Sequence, residues 1–299
     1  MISKLVPHLP EQLVWIISKK YIAGKDLDDA IHVVKELNNQ QIEATIDVLG
    51  ESINEREQAT KYCEQYLFTI EQAANHHLKT SFSLKPSMFG LLWDFNFCVK
   101  TVKTIIELAA KHQYFVRIDM EDSACTDSEL RLFEILYKDY SAHVGIVIQS
   151  YLKRSVYDIR WLSSISSVDN PVNIRLCKGI YIEPENIAFK RESEVHKNFL
   201  DCLNLILQKK MFPAIATHHH ELIRESKKLL SRFGKRREEY EFQMLYGVTP
   251  RRREELVNEG HRMRIYVPYG EQWFEYSSRR LQENPKMVSA IVEGIFIRK

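Results

Sequence analysis

Four residues near the C-terminus have the spacing of one helix face and could bind a small acid. Tyr276, Arg279, Arg280 and Glu283 are related as i, i+3, i+4 and i+7, so on a helix they share a side. Two guanidinium groups match a carboxylate with paired hydrogen bonds, and the glutamate could hold one arginine in place. The same pattern is also typical of a solvated helix face, so the rest of the chain has to decide between the two interpretations.

Upstream of this segment, eight short apolar runs alternate with long amphipathic stretches. The runs recur roughly every 25–40 residues, the length of one strand followed by one helix. Apolar residues at helical spacing predict helices over 10–38 and between the runs, as in Leu130–Lys138 and Ser193–Lys209. Eight such units predict an α/β fold, a (β/α)8 barrel with N-terminal helices and a C-terminal helix over its mouth. The predicted strands are Ala44–Leu49, Ser81–Leu84, Phe115–Asp119, Val144–Gln149, Val172–Cys177, Ala214–Thr217, Tyr240–Leu245 and Arg264–Val267.

Length and composition are those of an ordinary globular chain. It has 299 residues, 44% hydrophobic and 27% charged, without a low-complexity tract or a Gly/Ser linker. Because barrels of this size routinely form one domain, we expect a single domain over 1–299. Its parts would be N-terminal helices in 1–40, the barrel and the substrate-binding helix in 44–284, and a tail in 285–299.

Charge and cysteine content limit the class of protein and its location. The formal charge of +2 excludes a strongly basic nucleic-acid-binding protein on bulk charge. Five scattered cysteines without a C-x-x-C pair indicate a reducing compartment. The N-terminus has no apolar signal core, and no run is long enough to span a membrane. We therefore expect a cytoplasmic protein.

Polar side chains follow the ends of predicted strands two to seven, and strand eight leads into the arginine stripe. In a (β/α)8 barrel these ends meet on the rim that carries the active site. A single charged residue at the end of a strand is typical of a solvated cap. Polar residues at the ends of seven strands, however, favour a functional site. The strand-end residues are Lys85, Asp119, Glu121, Gln149, Tyr151, Arg175, Lys178, Tyr181, Thr217, His218 and Tyr246.

A metal site is one chemistry that part of this rim could support. Its ligands would be His218, His219 and His220 together with Asp119 or Glu121. Consecutive strand residues point to opposite faces, and no second histidine pair follows another strand. The metal interpretation is therefore disfavoured.

A Schiff-base site is a second chemistry, with Lys85 or Lys178 as the nucleophile. The carboxylates of Asp119 and Glu121 are expected nearby and would keep either lysine protonated. A protonated lysine is a poor nucleophile, so this interpretation is also disfavoured.

A redox site for a flat organic cofactor is the third chemistry. No G-x-G-x-x-G motif follows a predicted strand, which argues against a Rossmann dinucleotide domain. A flavin on a barrel rim would need an amide for its pyrimidine edge and cations for its negative charges. Gln149, Arg175 and Lys178 could supply them.

Seven segments taken together resemble the proline dehydrogenase family, in the family's order and over about 44–284. The resemblance implies a distorted (β/α)8 barrel with noncovalent FAD, and oxidation of L-proline to Δ1-pyrroline-5-carboxylate by hydride transfer from proline C5 to flavin N5. His219 departs from the family pattern, where Asn is frequent. The segments are Ser83–Lys85, Ile118–Ser123, Ile148–Tyr151, Arg175–Tyr181, Ala216–His218, Tyr240–Gly247 and Tyr276–Glu283.

The resemblance implies roles on the substrate side. Arg279 and Arg280 would bind the proline carboxylate, with Lys85 as a third cation. Glu283 would orient an arginine, and Asp119 would hold Lys85. The residues implied to wall the pocket are Tyr276, against the pyrrolidine ring, Tyr266 and Leu245.

The resemblance also implies cofactor contacts. Gln149 and Arg175 would address the isoalloxazine ring, and Lys178 the polar edge of the cofactor. Tyr181 would line the site beside Arg175. Thr217 and His218 would meet the ribityl–adenosine portion.

Electron transfer to a quinone and contact with the inner face of the cell membrane are further implications. The apolar tail from Met287 to Ile297 could meet the membrane, although packing on the barrel is favoured. The length is that of the monofunctional bacterial type. An alternative from another class is a catalytically silent barrel that senses a small acid, which the retained flavin-contact residues disfavour.

Overall fold

Eight parallel strands close into a barrel, each hydrogen-bonded to the next in chain order, with β8 pairing to β1. The computed structural model describes residues 11–50 and 53–283, without the side chains of residues 12, 13, 16, 17 and 279–283. The predicted barrel class is confirmed. The strands are β1 Glu43–Val48, β2 Thr80–Leu84, β3 Val116–Ile118, β4 Val144–Gln149, β5 Asn173–Cys177, β6 Phe212–Ala216, β7 Glu241–Leu245 and β8 Met263–Tyr269.

Helices surround this barrel and connect its strands. The α-helices of the described residues are α1 Glu11–Ser18, α2 Leu27–Asn39, α3 Arg56–Asn75, α4 Phe95–Lys111, α5 Thr126–Tyr140, α6 Ser155–Ile165, α7 Glu192–Gln208, α8 His220–Arg232, α9 Pro250–Asn258 and α10 Trp273–Glu283. Strand β8 is longer than predicted because Pro268 and Tyr269 continue the ladder opposite Asp47 and Val48 of β1.

The strands alternate between an apolar outer face and a polar inner face. On β1, Ala44, Ile46 and Val48 are fully buried in the main hydrophobic core. The intervening Thr45 points inward, where its hydroxyl lies 2.8 Å from that of Ser81 on β2. Side chains on a strand point alternately to opposite faces, so each barrel strand carries core residues outside and hydrogen-bonding residues inside.

Buried ion pairs line the N-terminal end of the barrel. The Nε of Arg264 lies 3.0 Å from Glu241 of β7, and its Nη2 contacts Glu43 of β1. Burial alone would raise the pKa of Glu241, but Arg264 and Arg262 lower it to about 2. The buried charges at this end of the barrel are therefore paired with one another.

The N-terminal segment packs across the C-terminal rim and meets α10. The rings of Trp15 and Trp273 lie edge to face, with centroids 4.6 Å apart. The Gly270 N–H donates to the Gly24 carbonyl at 3.1 Å, which ties the α1–α2 connection to the start of α10. Between Gly247 and Lys20 the approach is so close that a Cβ on the glycine would lie 1.5 Å from the Lys20 carbonyl oxygen. Of the helices in the described part of the chain, none is long and apolar enough to cross a membrane.

Candidate active site

The first feature of the rim is a buried ion pair between β1 and β2. Lys85 follows β2, and its ammonium donates to both oxygens of Asp47 at 3.0 and 3.1 Å. The Asp47 side chain is fully buried and that of Lys85 is 16% exposed. Burial opposes the charge on Lys85, but Asp47 and Asp119 outweigh it and raise the pKa of the ammonium. Lys85 is thus a fixed cation.

Asp119, directly after β3, is the centre of a second cluster. It accepts hydrogen bonds from the Ser83 hydroxyl and from the Arg175 guanidinium, both at 2.6 Å, and from the Tyr266 hydroxyl at 3.1 Å. Burial and the charges of Asp119 and Asp47 raise the pKa of Tyr266 well above its usual value. Tyr266 therefore keeps its proton and acts as a donor.

The predicted partnership of Asp119 with Lys85 is corrected by these contacts. Asp47 lies on the strand next to β2, opposite Ser83 in the ladder, and reaches the lysine first. Asp119 is within electrostatic reach of Lys85 but directs its oxygens to the groups of its own cluster. Glu121, the other carboxylate expected near the lysines, instead accepts from the backbone N–H and hydroxyl of Ser87.

We call these five residues the mouth network: Asp47, Lys85, Asp119, Arg175 and Tyr266. Two cations face two carboxylates at hydrogen-bonding distance, so the formal charges cancel. A carboxylate brought into the mouth would be expensive to desolvate without further cations. The arrangement requires positive groups from outside the network if the ligand is an acid.

Arg175 is held on three sides. Besides its bond to Asp119, its Nε donates to Gln243 at 2.6 Å, and the guanidinium lies over the Tyr266 ring, 5.3 Å from the centroid. It is 7% exposed. Because a guanidinium is planar, these contacts set its plane.

Gln149 ends β4 and is almost fully buried. Its amide nitrogen donates to the Glu121 carbonyl at 2.7 Å, which fixes the plane of the amide beside β3. The neighbouring loop is tight: Gly179 has φ +100°, and a Cβ there would lie 2.0 Å from the Tyr151 ring. Tyr181 follows in the same loop and packs against the main core.

The end of β6 carries Thr217 and His218. The Thr217 hydroxyl accepts the His219 N–H at 3.1 Å, an interaction that shapes the turn into α8. The Nε2 of His218 accepts the Leu245 N–H at 2.9 Å, so the neutral ring carries its proton on Nδ1. This bond joins the ends of β6 and β7 and positions Leu245 on the rim.

Lys178 lies after β5 and is more accessible than the mouth network. Its ammonium is 3.9 Å from Glu192 of α7, and its side chain is 40% exposed. An ion pair this exposed contributes little to stability, so a ligand anion could replace the carboxylate at small cost.

Tyr276 lies on α10, where it is 9% exposed. It belongs to a small core, here called the α1–α10 core, formed by Val14, Tyr21, Ile22, Leu49, Trp273 and Tyr276. Its phenol is within electrostatic reach of Lys85 and Tyr266. The helical backbone of 273–283 places positions 276, 279, 280 and 283 on one face. The side chains of Arg279, Arg280 and Glu283 lie outside the described residues.

The environments of Lys85, His218 and His220 bear on the Schiff-base and metal interpretations of the rim. The raised pKa of Lys85 keeps it protonated, which opposes a Schiff base. His218 is engaged with the backbone of Leu245, and His220 is exposed at the start of α8. Neither forms the metal site with Asp119 that the sequence allowed.

Sequence reasoning missed Asp47 and Gln243. Asp47 is a carboxylate inside an otherwise apolar run, and it shares the inward face of β1 with Thr45. A charged residue at the inward position of a barrel strand, near its C-terminal end, is the signal that would have found it. Gln243 lies within a quoted motif and carries the same inward signal on β7.

The fold is that of the (β/α)8-barrel enzymes, whose active sites lie on the C-terminal rim, where this chain has its mouth network. The family model for proline dehydrogenase matches residues 30–293. The chain is 36% identical over 280 residues to "Proline dehydrogenase 2" of Bacillus subtilis, covering 94% of this chain and 90% of that one. It is 32% identical over 294 residues to "Proline dehydrogenase" of Deinococcus radiodurans, covering 97% and 93%.

A solved structure of proline utilization A (PutA) from Bdellovibrio bacteriovorus, inactivated by N-propargylglycine, is similar in fold. It superposes with a TM-score of 0.83 and 26% sequence identity, covering 90% of this chain and 32% of that one. The chain belongs to the proline dehydrogenase family, with proline dehydrogenase activity in proline catabolism.

Proposed function

We propose that the chain oxidises L-proline to Δ1-pyrroline-5-carboxylate with FAD, and that a quinone reoxidises the cofactor. The observation that carries the proposal is the mouth network, whose Lys85 and Tyr266 are within electrostatic reach of Tyr276 on α10. Its own charges cancel, so it can accept a zwitterion such as proline when the helix supplies further cations.

The donor set at the ends of β4, β5 and β6 fits FAD. Gln149 offers an amide, Arg175 a buried guanidinium, and Lys178 an accessible ammonium. These are the groups that a flavin ring and a diphosphate require. Thr217 and His218 would meet the remaining polar portion, and Tyr181 would line the site. When bound, FAD would supply the acceptor, at flavin N5, for a hydride from proline C5.

The substrate is held by its carboxylate. Arg279 and Arg280 bind the carboxylate, with Lys85 as the third cation and Glu283 orienting an arginine. Fixing the carboxylate fixes the ring. The pocket walls are Tyr276, Tyr266 and Leu245.

The proton of the proline amine has to leave before the ring can be oxidised. Lys85 and Tyr266 both have raised pKa values and stay protonated at neutral pH. Asp47 and Asp119 are engaged as acceptors within the network. We therefore propose that solvent takes the amine proton, and turnover should increase as the pH rises towards the amine's own pKa.

The visible spectrum of the purified protein, recorded without oxygen before and after L-proline is added, tests cofactor and substrate together. We expect flavin bands that bleach. Bands that persist would reject proline, and a colourless protein that FAD cannot reconstitute would leave a silent barrel. N-propargylglycine, the inactivator of the Bdellovibrio relative, should abolish turnover here as well.

Replacing the arginines tests the carboxylate site. Arg279→Met and Arg280→Met should each lower kcat/KM for proline about 10- to 150-fold, the loss of one charge-assisted hydrogen bond of about 1.5–3 kcal/mol. Both variants should retain FAD. Arg232→Met, at the exposed end of α8, is the control and should behave as wild type. Normal kinetics in either stripe variant would show that the carboxylate is bound elsewhere.

A further inference from the structure

Two histidines and a carboxylate lie together between α7 and the start of α8, outside the mouth network. His196 is one helical turn after Glu192 on α7, and His219 immediately precedes α8. The two imidazole rings are in contact, with centroids 4.3 Å apart and planes inclined by 53°. One potential ligand atom from each of the three residues lies within 4.8 Å of the others. Segments far apart in sequence thus converge on one point.

The two imidazoles at this point are incompletely satisfied. Nε2 of His196 and Nδ1 of His219 are buried from solvent and have no hydrogen-bond partner. The nearest carboxylate oxygen, Glu192 Oε1, is 3.4 Å from His196 Nε2, long for a hydrogen bond. Buried polar atoms are nearly always paired, so two orphaned nitrogens beside each other indicate a missing partner.

We propose that Glu192, His196 and His219 form a binding site for a divalent transition-metal ion such as Zn²⁺. Two imidazoles and one carboxylate are a ligand set that zinc uses in proteins, with water completing the coordination. Ligands at about 2.0–2.2 Å from a tetrahedral ion lie about 3.3–3.6 Å apart, so the three ligand atoms, which lie within 4.8 Å of one another, have to close in by up to about 1.5 Å when the ion binds. The Glu192 side chain is 70% exposed and can rotate onto the ion.

The charge near this site decides which ion is suitable. Lys178 lies 3.9 Å from the Glu192 carboxylate and competes for it. A hard ion that depends on carboxylates, such as Mg²⁺, would therefore bind poorly, whereas an ion with a strong preference for imidazole would bind through the two histidines. Bound there, the ion joins α7 to the loop after β6 and clamps one side of the rim.

Calorimetric titration of the FAD-loaded protein, without a histidine tag, with ZnCl2 and MgCl2 tests the proposal. We expect one zinc ion per chain, no comparable binding of magnesium, and a higher unfolding temperature with zinc. His196→Asn and His219→Asn should each weaken zinc binding about 100-fold or more. His220→Asn, which changes the adjacent exposed histidine, should leave the affinity unchanged.

Two outcomes would overturn the site. If the wild-type protein does not bind zinc stoichiometrically, the two histidines are a pair of rings in contact and not a metal site. Binding that is unchanged in both site variants, or equally weakened in His220→Asn, would place the ion elsewhere. If a site variant unfolds, anomalous scattering at the zinc edge from wild-type crystals locates the ion independently.

Discussion

Asp47→Asn removes the carboxylate from the Lys85 ion pair while keeping the size of the side chain. In the structure both Asp47 oxygens accept from the Lys85 ammonium, at 3.0 and 3.1 Å, and Asp47 is fully buried. Removing one partner of a buried pair typically costs about 3–5 kcal/mol because the other charge is left uncompensated. Asp119 remains within electrostatic reach and the lysine is 16% exposed, so we expect the lower end, about 3 kcal/mol.

Thermal unfolding followed by circular dichroism measures this loss. At about 2–4 °C per kcal/mol for a large domain, the unfolding temperature should fall by about 6–12 °C. The double variant Asp47→Asn/Lys85→Met, which leaves no unpaired charge, should recover most of it. Asp139→Asn removes the carboxylate from an exposed pair with Lys103 and should change stability by less than about 1 kcal/mol.

Lys85→Met alone provides a second check on the same reasoning. It leaves Asp47 buried without its cation, and burial already raises the pKa of this carboxyl. The carboxyl can then bind a proton, so the stability deficit of Lys85→Met should grow as the pH rises and shrink as it falls. An Asp47→Asn protein that unfolds within about 2 °C of wild type, or a double variant no better than the single one, would refute the assignment of this pair.

Two further predictions concern groups away from the mouth. Burial and Arg237 lower the pKa of His261 to about 4, against about 6.5 in an unfolded chain. As the pH falls, the unfolded state therefore binds the proton before the folded state does. Between pH 7 and pH 5 the free energy of unfolding of wild type should fall by about 2 kcal/mol more than that of His261→Gln. If urea unfolding gives parallel pH profiles for the two proteins, this prediction is wrong. Gly247→Ala should lower the free energy of unfolding by more than about 3 kcal/mol, because the new Cβ would clash with the Lys20 backbone. Gly260→Ala, also at positive φ but in open space, should lower it by about 1–2 kcal/mol. Equal losses of stability by calorimetry would show that the clash is not the cause.

The positions of the strands could be predicted from the sequence because they depend on residues that are close together in the chain. Val144–Gln149 was predicted with the bounds that the structure shows for β4, and the other strands differ by one or two residues at their ends. The alternation of apolar and polar residues in a strand, and the residues that form a turn, involve positions only a few residues apart. They can therefore be predicted from the sequence pattern. The predicted single domain over 1–299 and the roles given to the site residues stay predictions.

The pairing of charges was decided by the tertiary structure. The family resemblance implied that Asp119 holds Lys85, but the ladder between β1 and β2 brings Asp47 to the lysine, and Asp119 binds Arg175 and Tyr266. Residue types and local spacing thus determined the barrel, the polar rim and the helix with its arginine stripe. Barrel closure decided which carboxylate meets which cation, because strand register brings together residues that are distant in sequence.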